Sequence, residues 1–526
     1  MEEERKMNKK IALILISLLC ISLMAFGMRF TSAAGTLKVG VIGPYNLPQW
    51  HNYLGGMQGG AQLAMMDINA AGGIDVGGTP YTIVLEMEDE HAMPLDEGAA
   101  YTATMNLLTA GCRYIIGGFR TECTWKIIEA VKDWNSGLPD EDKVILFING
   151  ASTDELISTT VATDYSTYWW LFRINPINST MLFKNLLGYL QGYLIPYKLA
   201  PMYGGNVKFG CLVEDLAWTA GISWYMANVG LGPQATYVYG ARSTPGTTDF
   251  SAYLNAAAAA GVRLLTIAYT LPDAQYLINQ WRAGNYPFMI VGIDVFAQTN
   301  LWPSWTGGRC EYEVLMDFSG TRTPITPEAT AFWDHFVGNF SAPPPTPAAW
   351  PIYTAWGAYN GFIILKQALE TADTFNSLTV KSVLETQETQ VLNGKSKFTS
   401  THDVYSLTYG PTWPDGYTRG MMVQWTNSSS SLTSFVKNVV SPVDKSYSRK
   451  TQVPLWIYDL ALWDLNFDGK VDVKDVARAA KAFGALPGTP GWDIECDINL
   501  DGKIDVKDIA AIAKKFGQRH EPWPLP

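Results

Sequence analysis

Charge is sparse in this sequence: Asp, Glu, Lys and Arg make up 17% of its 526 residues, and the acids outnumber the bases, 49 to 38. A formal net charge of −11 and the lack of any Lys/Arg stripe argue against a nucleic-acid partner. Cysteine is scarce and never falls as C-x-x-C, and the five histidines are scattered, which disfavours zinc, redox and histidine-metal readings. G-x-S-x-G, H-E-x-x-H and phosphate-binding glycine loops are all missing, so no nucleophile–base set points to an enzyme. Beyond the first thirty residues no apolar run is long enough to cross a membrane.

What is present is a globular composition, 47% hydrophobic, with 19 Trp and 26 Tyr. That aromatic surplus exceeds what folding needs and suits a lined pocket. At the start, Arg5, Lys6, Lys9 and Lys10 precede an apolar run over 11–26 and the small-residue stretch 31–34. This is the order of a secretory signal, with an uncleaved anchor as the alternative, and it implies an extracellular chain, secreted or held at the outer membrane face. Export would allow some of Cys112, Cys123, Cys211, Cys310 and Cys496 to pair; spacing does not decide which, and one is left over. Sequons at Asn178, Asn339 and Asn427 agree weakly with export.

The stretch 36–73 sets the pattern of the body. An apolar run over 37–42 closes at Gly43-Pro44 and reads as a buried strand. A loop with Trp50, His51 and Tyr53 follows, then a helix entered through small residues, GAQLAMMDINAAGGI. Strands over 81–87, 114–116 and 144–148 alternate with helices over 99–109 and 125–134, the latter with Thr121 or Thr124 as its expected cap. A second α/β run has strands over 208–213, 264–269 and 288–293. This rhythm predicts parallel, doubly wound sheets.

The wording of the first helix and the order of elements resemble the extracytoplasmic substrate-binding proteins of ABC transporters, of the branched-chain amino-acid-binding (periplasmic binding protein type 1) family. The resemblance spans roughly 36–425. It implies an α/β fold of two doubly wound lobes joined by a multi-stranded hinge, lobe I over 36–176 with 318–375 and lobe II over 177–317 with 376–425. It also implies a ligand held between the lobes. Ala151 and Thr153 match the segment that holds the ligand's α-amino and α-carboxylate groups, and Arg120, Thr121 and Glu122 fall in the third-strand loop. Trp218 and Tyr269 sit where aromatics close from lobe II, Asp294 where an acid takes an ammonium, and Trp50 and His51 where the side chain is touched. Glu122 departs from the family's uncharged, hydroxyl-rich loop and would repel a ligand carboxylate unless Arg120 neutralises it. That leaves room for amides, urea-like compounds, short peptides or sugars beside amino acids.

After a polar linker over 426–455, the tail (456–518) repeats itself. Asp464-Leu-Asn-Phe-Asp-Gly-Lys-Val-Asp-Val-Lys-Asp475 recurs 33 residues on as Asp497-Ile-Asn-Leu-Asp-Gly-Lys-Ile-Asp-Val-Lys-Asp508. A hard cation such as Ca²⁺ takes about 6–8 oxygens, which a 12-residue loop supplies from positions 1, 3, 5, 7, 9 and 12 around a glycine at 6. The first loop offers Asp464, Asn466, Asp468, the Lys470 carbonyl, Asp472 and Asp475; the second offers Asp497, Asn499, Asp501, the Lys503 carbonyl, Asp505 and Asp508. Position 12 is Asp where EF-hands carry Glu, and no entering helix precedes either loop. In these respects the tail resembles a dockerin, a small all-α module that folds around two Ca²⁺ ions and docks onto cohesin domains. The metal serves folding as much as partner binding in so small a core. Val473-Lys474 and Val506-Lys507 fall where dockerins carry recognition residues, a solvated helix start being the plainer reading.

Together these readings describe a non-enzymatic, extracellular solute-binding protein. It would deliver a small ligand to an ABC-transporter permease and attach through calcium to a cohesin-like partner. A scaffold or adhesion protein without a working cleft is the main alternative, and a glycan-acting enzyme with two carboxylates the lesser one.

Overall fold

The computed structural model describes residues 35–45, 56–92, 94–318, 322–340, 350–405, 420–427, 435–441 and 448–520. The expected leader and the loop bearing Trp50 and His51 lie outside these residues. Among the described residues no helix is long and apolar enough to cross a membrane.

The first sheet is built from β1 (Gly35–Gly43), β2 (Ile74–Val76), β3 (Thr79–Asp89), β4 (Tyr114–Gly117), β5 (Ile145–Ile148) and β6 (Leu171–Arg173). Its order is β2-β3-β1-β4-β5-β6, with β1 parallel to both β3 and β4. β4 and β5 are buried along their whole length, as parallel strands covered by helices on both faces must be. The helix Met57–Ala70 packs backbone to backbone on Tyr353–Ala372: a Cβ on Gly60 would lie 2.0 Å from the Ala355 carbonyl oxygen. Residues 377–404 do not return to the second lobe as expected. Val380, Leu384, Val391, Phe398 and Val404 are apolar and complete the first core.

The second sheet contains β7 (Val207–Glu214), β8 (Ala235–Ser243), β9 (Leu264–Tyr269), β10 (Met289–Asp294), β11 (Val314–Asp317), β14 (Met421–Asn427) and β15 (Phe435–Ser441), in the order β15-β14-β11-β10-β9-β7-β8. The small hairpin β12 (Thr389–Val391) and β13 (Gly394–Ser396) lies apart. β15 begins inside the stretch expected to be a linker. Lys437 on it is buried, its Nζ donating to Asp317 Oδ2 at 2.6 Å and the Gln298 carbonyl at 2.7 Å. The parallel part of each sheet runs second-first-third in chain order, so both have a topological switch beside the first strand, where α/β folds open a crevice at the strand ends.

The chain crosses between lobes after β6. Arg173 is fully buried there and donates to Asp403 Oδ1 at 2.7 Å and to the Thr153 carbonyl at 2.5 Å. Asn175 Nδ2 donates to the Asn149 carbonyl at 2.8 Å, and Asn149 Nδ2 to the Thr354 carbonyl at 2.8 Å, so the crossover is tied to β5 and to the start of the helix Tyr353–Ala372.

The C-terminal module has two helices, Val473–Lys481 and Val506–Ala513. They begin at Val473 and Val506 because Asp472 and Asp505 act as N-caps in capping boxes with Asp475 and Asp508. The module is not free of the body. Phe467, Val471, Ile504 and Ile512 share one continuous apolar core with Tyr189, Leu199 and the second sheet. Within this contact the buried Glu495 carboxylate accepts from Tyr193 Oη and Lys198 Nζ, and the Glu495 carbonyl accepts from Lys450 Nζ at 3.2 Å. All five cysteines among the described residues are buried free thiols, so none is paired.

Candidate functional site

A cavity of about 710 Å³, counting the solvent at its mouth, opens between the carboxyl ends of the two sheets. Lobe I contributes Ala92, Phe119, Arg120, Thr121, Gly150 and Ser152; lobe II contributes Leu182, Leu216, Trp218, Thr270, Leu271 and Val295, and Gln298, Phe318 and Tyr353 close the back. Most of this lining is apolar.

The loop after β4 leads into the helix Thr121–Ser136, whose N-cap is Arg120 with no side-chain cap, so neither Thr121 nor Thr124 plays the expected part. Instead Glu90, one residue past β3, reaches across: its Oε2 accepts from the Phe119 amide at 2.7 Å and its Oε1 from the Arg120 amide at 3.0 Å. Glu90 is fully buried, and that burial pushes its carboxyl up to about 8 against the opposing pull of the two amide bonds. The Arg120 guanidinium is committed to Glu122 Oε2 at 3.1 Å and the Ala92 carbonyl at 3.0 Å. Thr121 and Thr153 meet through their hydroxyls at 2.8 Å.

The opposite wall repeats the device. Glu214, the last residue of β7, is fully buried, and its Oε1 accepts from Trp218 Nε1 and the Thr270 amide, both at 2.8 Å, while Oε2 accepts from the Leu271 amide at 3.2 Å. Burial pushes this carboxyl up to about 7.

Of the residues named from the sequence, Arg120, Thr121 and Trp218 line this cavity together. Ala151 is buried between the lining residues Gly150 and Ser152, and Thr153 reaches the wall through Thr121. Glu122 stands behind Arg120. Tyr269 and Asp294 are fully buried in lobe II; Tyr269 bonds the Ser243 hydroxyl at 2.7 Å, and Asp294 Oδ1 accepts from the Ala297 amide at 3.1 Å. Asp294 also shares its pocket with buried Glu313, and burial raises both carboxyls. Neither Tyr269 nor Asp294 reaches the cavity surface; their chain neighbours Thr270, Ile293 and Val295 do. Glu90 and Glu214 in this role, and the apolar wall, escape sequence reading. Their only signal is the acidic string 88–90 after one strand and the acidic pair 214–215 after another.

In the module, each repeat loop has the same internal bonds. Asp464 accepts from the Asp468 and Gly469 amides, and Asp497 from those of Asp501 and Gly502. Asp475 accepts from Leu465 and Asp472, and Asp508 from Ile498 and Asp505. Gly469 and Gly502 turn with φ of 90° and 81°, where a side chain is strained. Among the described residues no three acidic, His or Cys side chains converge as a closed cage; Asp468 and Asp472 turn to Lys474 and Lys470 at 2.9 and 2.8 Å. The donors nonetheless fit a hard cation, since the Asp and Asn side chains and the Lys470 and Lys503 carbonyls all offer oxygen and the first and last carboxylates are already buried inside each loop.

Comparison with known proteins agrees with this geometry. Residues 36–409 match the family described as Periplasmic binding protein, and residues 462–517 match the Dockerin type I domain, a class known to bind calcium. Among solved structures, a putative branched-chain amino acid ABC transporter protein from Silicibacter pomeroyi is 14% identical with a TM-score of 0.62, covering 80% of this chain and 100% of that one. The leucine-, isoleucine-, valine-, threonine- and alanine-binding protein of Brucella ovis, in closed conformation, is 14% identical with a TM-score of 0.59 (77% and 94% covered). The branched-chain amino acid transporter substrate-binding protein of Streptococcus pneumoniae, in complex with isoleucine, is 18% identical with a TM-score of 0.57 (77% and 99%). No curated protein matches the chain. At these identities the structural likeness establishes the fold alone.

Proposed function

The chain belongs to the periplasmic binding protein family, and on that footing we propose that it captures a small solute between its lobes outside the cell and delivers it to an ABC-transporter permease. The observation that carries this reading is the cavity itself. Its walls come from both sheets, Arg120 and Thr121 on one side and Trp218 and Thr270 on the other, so a bound molecule would bridge the lobes and favour closure about the crossovers. The cycle is binding and release, with no covalent step.

The module is proposed to hold two Ca²⁺ ions, one through Asp464, Asn466, Asp468, the Lys470 carbonyl, Asp472 and Asp475 and the other through Asp497, Asn499, Asp501, the Lys503 carbonyl, Asp505 and Asp508, and to attach the protein to a cohesin-like domain. Val473 and Val506 support a partner-facing role: both are more than three-fifths exposed, at equivalent places in the two repeats.

The test is a thermal-shift screen of the calcium-loaded full chain against amino acids, amides and short peptides. A ligand at 100 times its Kd stabilises the folded state by about 2.7 kcal/mol, a shift of several degrees. One responding solute class supports capture. Silence from a folded sample across the whole set moves the reading to a scaffold protein anchored by its module.

A further inference from the structure

We infer that the ligand of this cleft is an uncharged, largely apolar molecule, and not an anion or a zwitterionic α-amino acid. The inference rests on the solute-binding reading above and narrows it.

A buried carboxylate ligand needs donors that are free to meet it, either backbone amides at a strand–helix turn or an unpaired cation. In lobe I the Phe119 and Arg120 amides, both belonging to cavity-lining residues, point at Glu90. In lobe II the Thr270 and Leu271 amides and the Trp218 indole, again all from lining residues, point at Glu214. Among the described residues Arg120 supplies the only cationic side chain of the lining, and Glu122 and the Ala92 carbonyl already hold its guanidinium. The protein has thus placed a carboxyl group of its own in each wall, on the donors an anionic ligand would use. An arriving anion would have to displace those bonds, which costs more than it returns.

A cation is no better served. Glu90 and Glu214 are fully buried behind their donors, so neither presents a free oxygen to the cavity, and Glu122 is taken up by Arg120. What remains exposed to a ligand is apolar surface from residues such as Leu182, Leu271 and Phe318, with the Ser152 hydroxyl for a hydrogen bond. That surface matches a neutral molecule with an apolar body and a single polar end, such as an amide.

The test is calorimetric titration of the calcium-loaded full chain with matched triads that share a skeleton and differ in charge: isovaleramide, isovalerate and isopentylamine, and benzamide, benzoate and benzylamine, with N-acetyl-leucinamide set against leucine. The neutral member of each set is expected to bind about tenfold tighter or more than its charged partners. Replacing both acids, Glu90→Gln with Glu214→Gln, is expected to narrow that gap for the anion. Tightest binding by any charged member, or by a charged hit from the wider solute screen, overturns this inference while leaving capture in the cleft intact. A neutral hit from that screen supports it. Silence from the triads and the screen together removes the capture reading and this inference with it.

Discussion

Replacing Glu495 with Ala is expected to destabilise the second lobe and the C-terminal module together, although the residue touches neither the cleft nor a calcium loop interior. Its carboxylate lies between Lys198 and Lys450, which are 1% and 3% exposed. Burial already pushes the Lys450 ammonium down to about 8 against the attraction of Glu495. Removing one partner of such a pair leaves an uncompensated buried charge and costs about 3–5 kcal/mol, a large share of the roughly 5–15 kcal/mol that holds a domain. For a unit of this size each kcal/mol moves Tm by about 2–4 °C, so a fall of roughly 6–20 °C is expected in scanning calorimetry with calcium present. Because one apolar core runs through both parts, they should lose stability in a single transition. The companion triple variant Lys198→Met, Lys450→Met with Glu495→Leu removes all three charges and should recover most of the loss. A loss below about 1 kcal/mol for Glu495→Ala, or a module transition that moves while the lobe stays put, would refute the argument that the module is built into the lobe.

Two further outcomes follow from the carboxylates. Glu214 has its folded pKa raised by burial from 4.5 to about 7, so between those values the folded chain holds a proton that the unfolded chain has released. Its contribution is full below about 4.5 and is lost as pH rises through about 7; denaturant midpoints for Glu214→Gln should therefore fall less between pH 5 and 8 than those of the parent, and equal slopes would contradict this. Asp497→Ala removes the first oxygen donor of the second loop while leaving the first loop whole, and calorimetry should report about one Ca²⁺ per chain against an expected two for the parent; an unchanged stoichiometry would show that the repeat loops are not the sites.

Much of this molecule was legible because it depends on local pattern. Alternating apolar strands and helices specified two parallel sheets, since only that order buries continuous runs such as Ile145–Ile148 on both faces. The 33-residue repeat revealed the module, because oxygen ligands at alternate loop positions around an obligatory glycine are a requirement written in sequence. Arg120, Thr121 and Trp218 could be placed on one cavity from their position just past strand ends. What only the tertiary structure decided were the pairings between distant residues. Glu90 capping the amides at Phe119 and Arg120, Glu214 turning inward to Trp218 and Thr270, and Glu495 locking the module to Lys198 each join groups that no local spacing relates. The same holds for residues 377–404, expected in lobe II, whose Val380 and Leu384 the first core takes up instead. A buried charge takes whichever donor the fold brings within reach, so its partner, and with it the polarity of the cleft, is settled by packing.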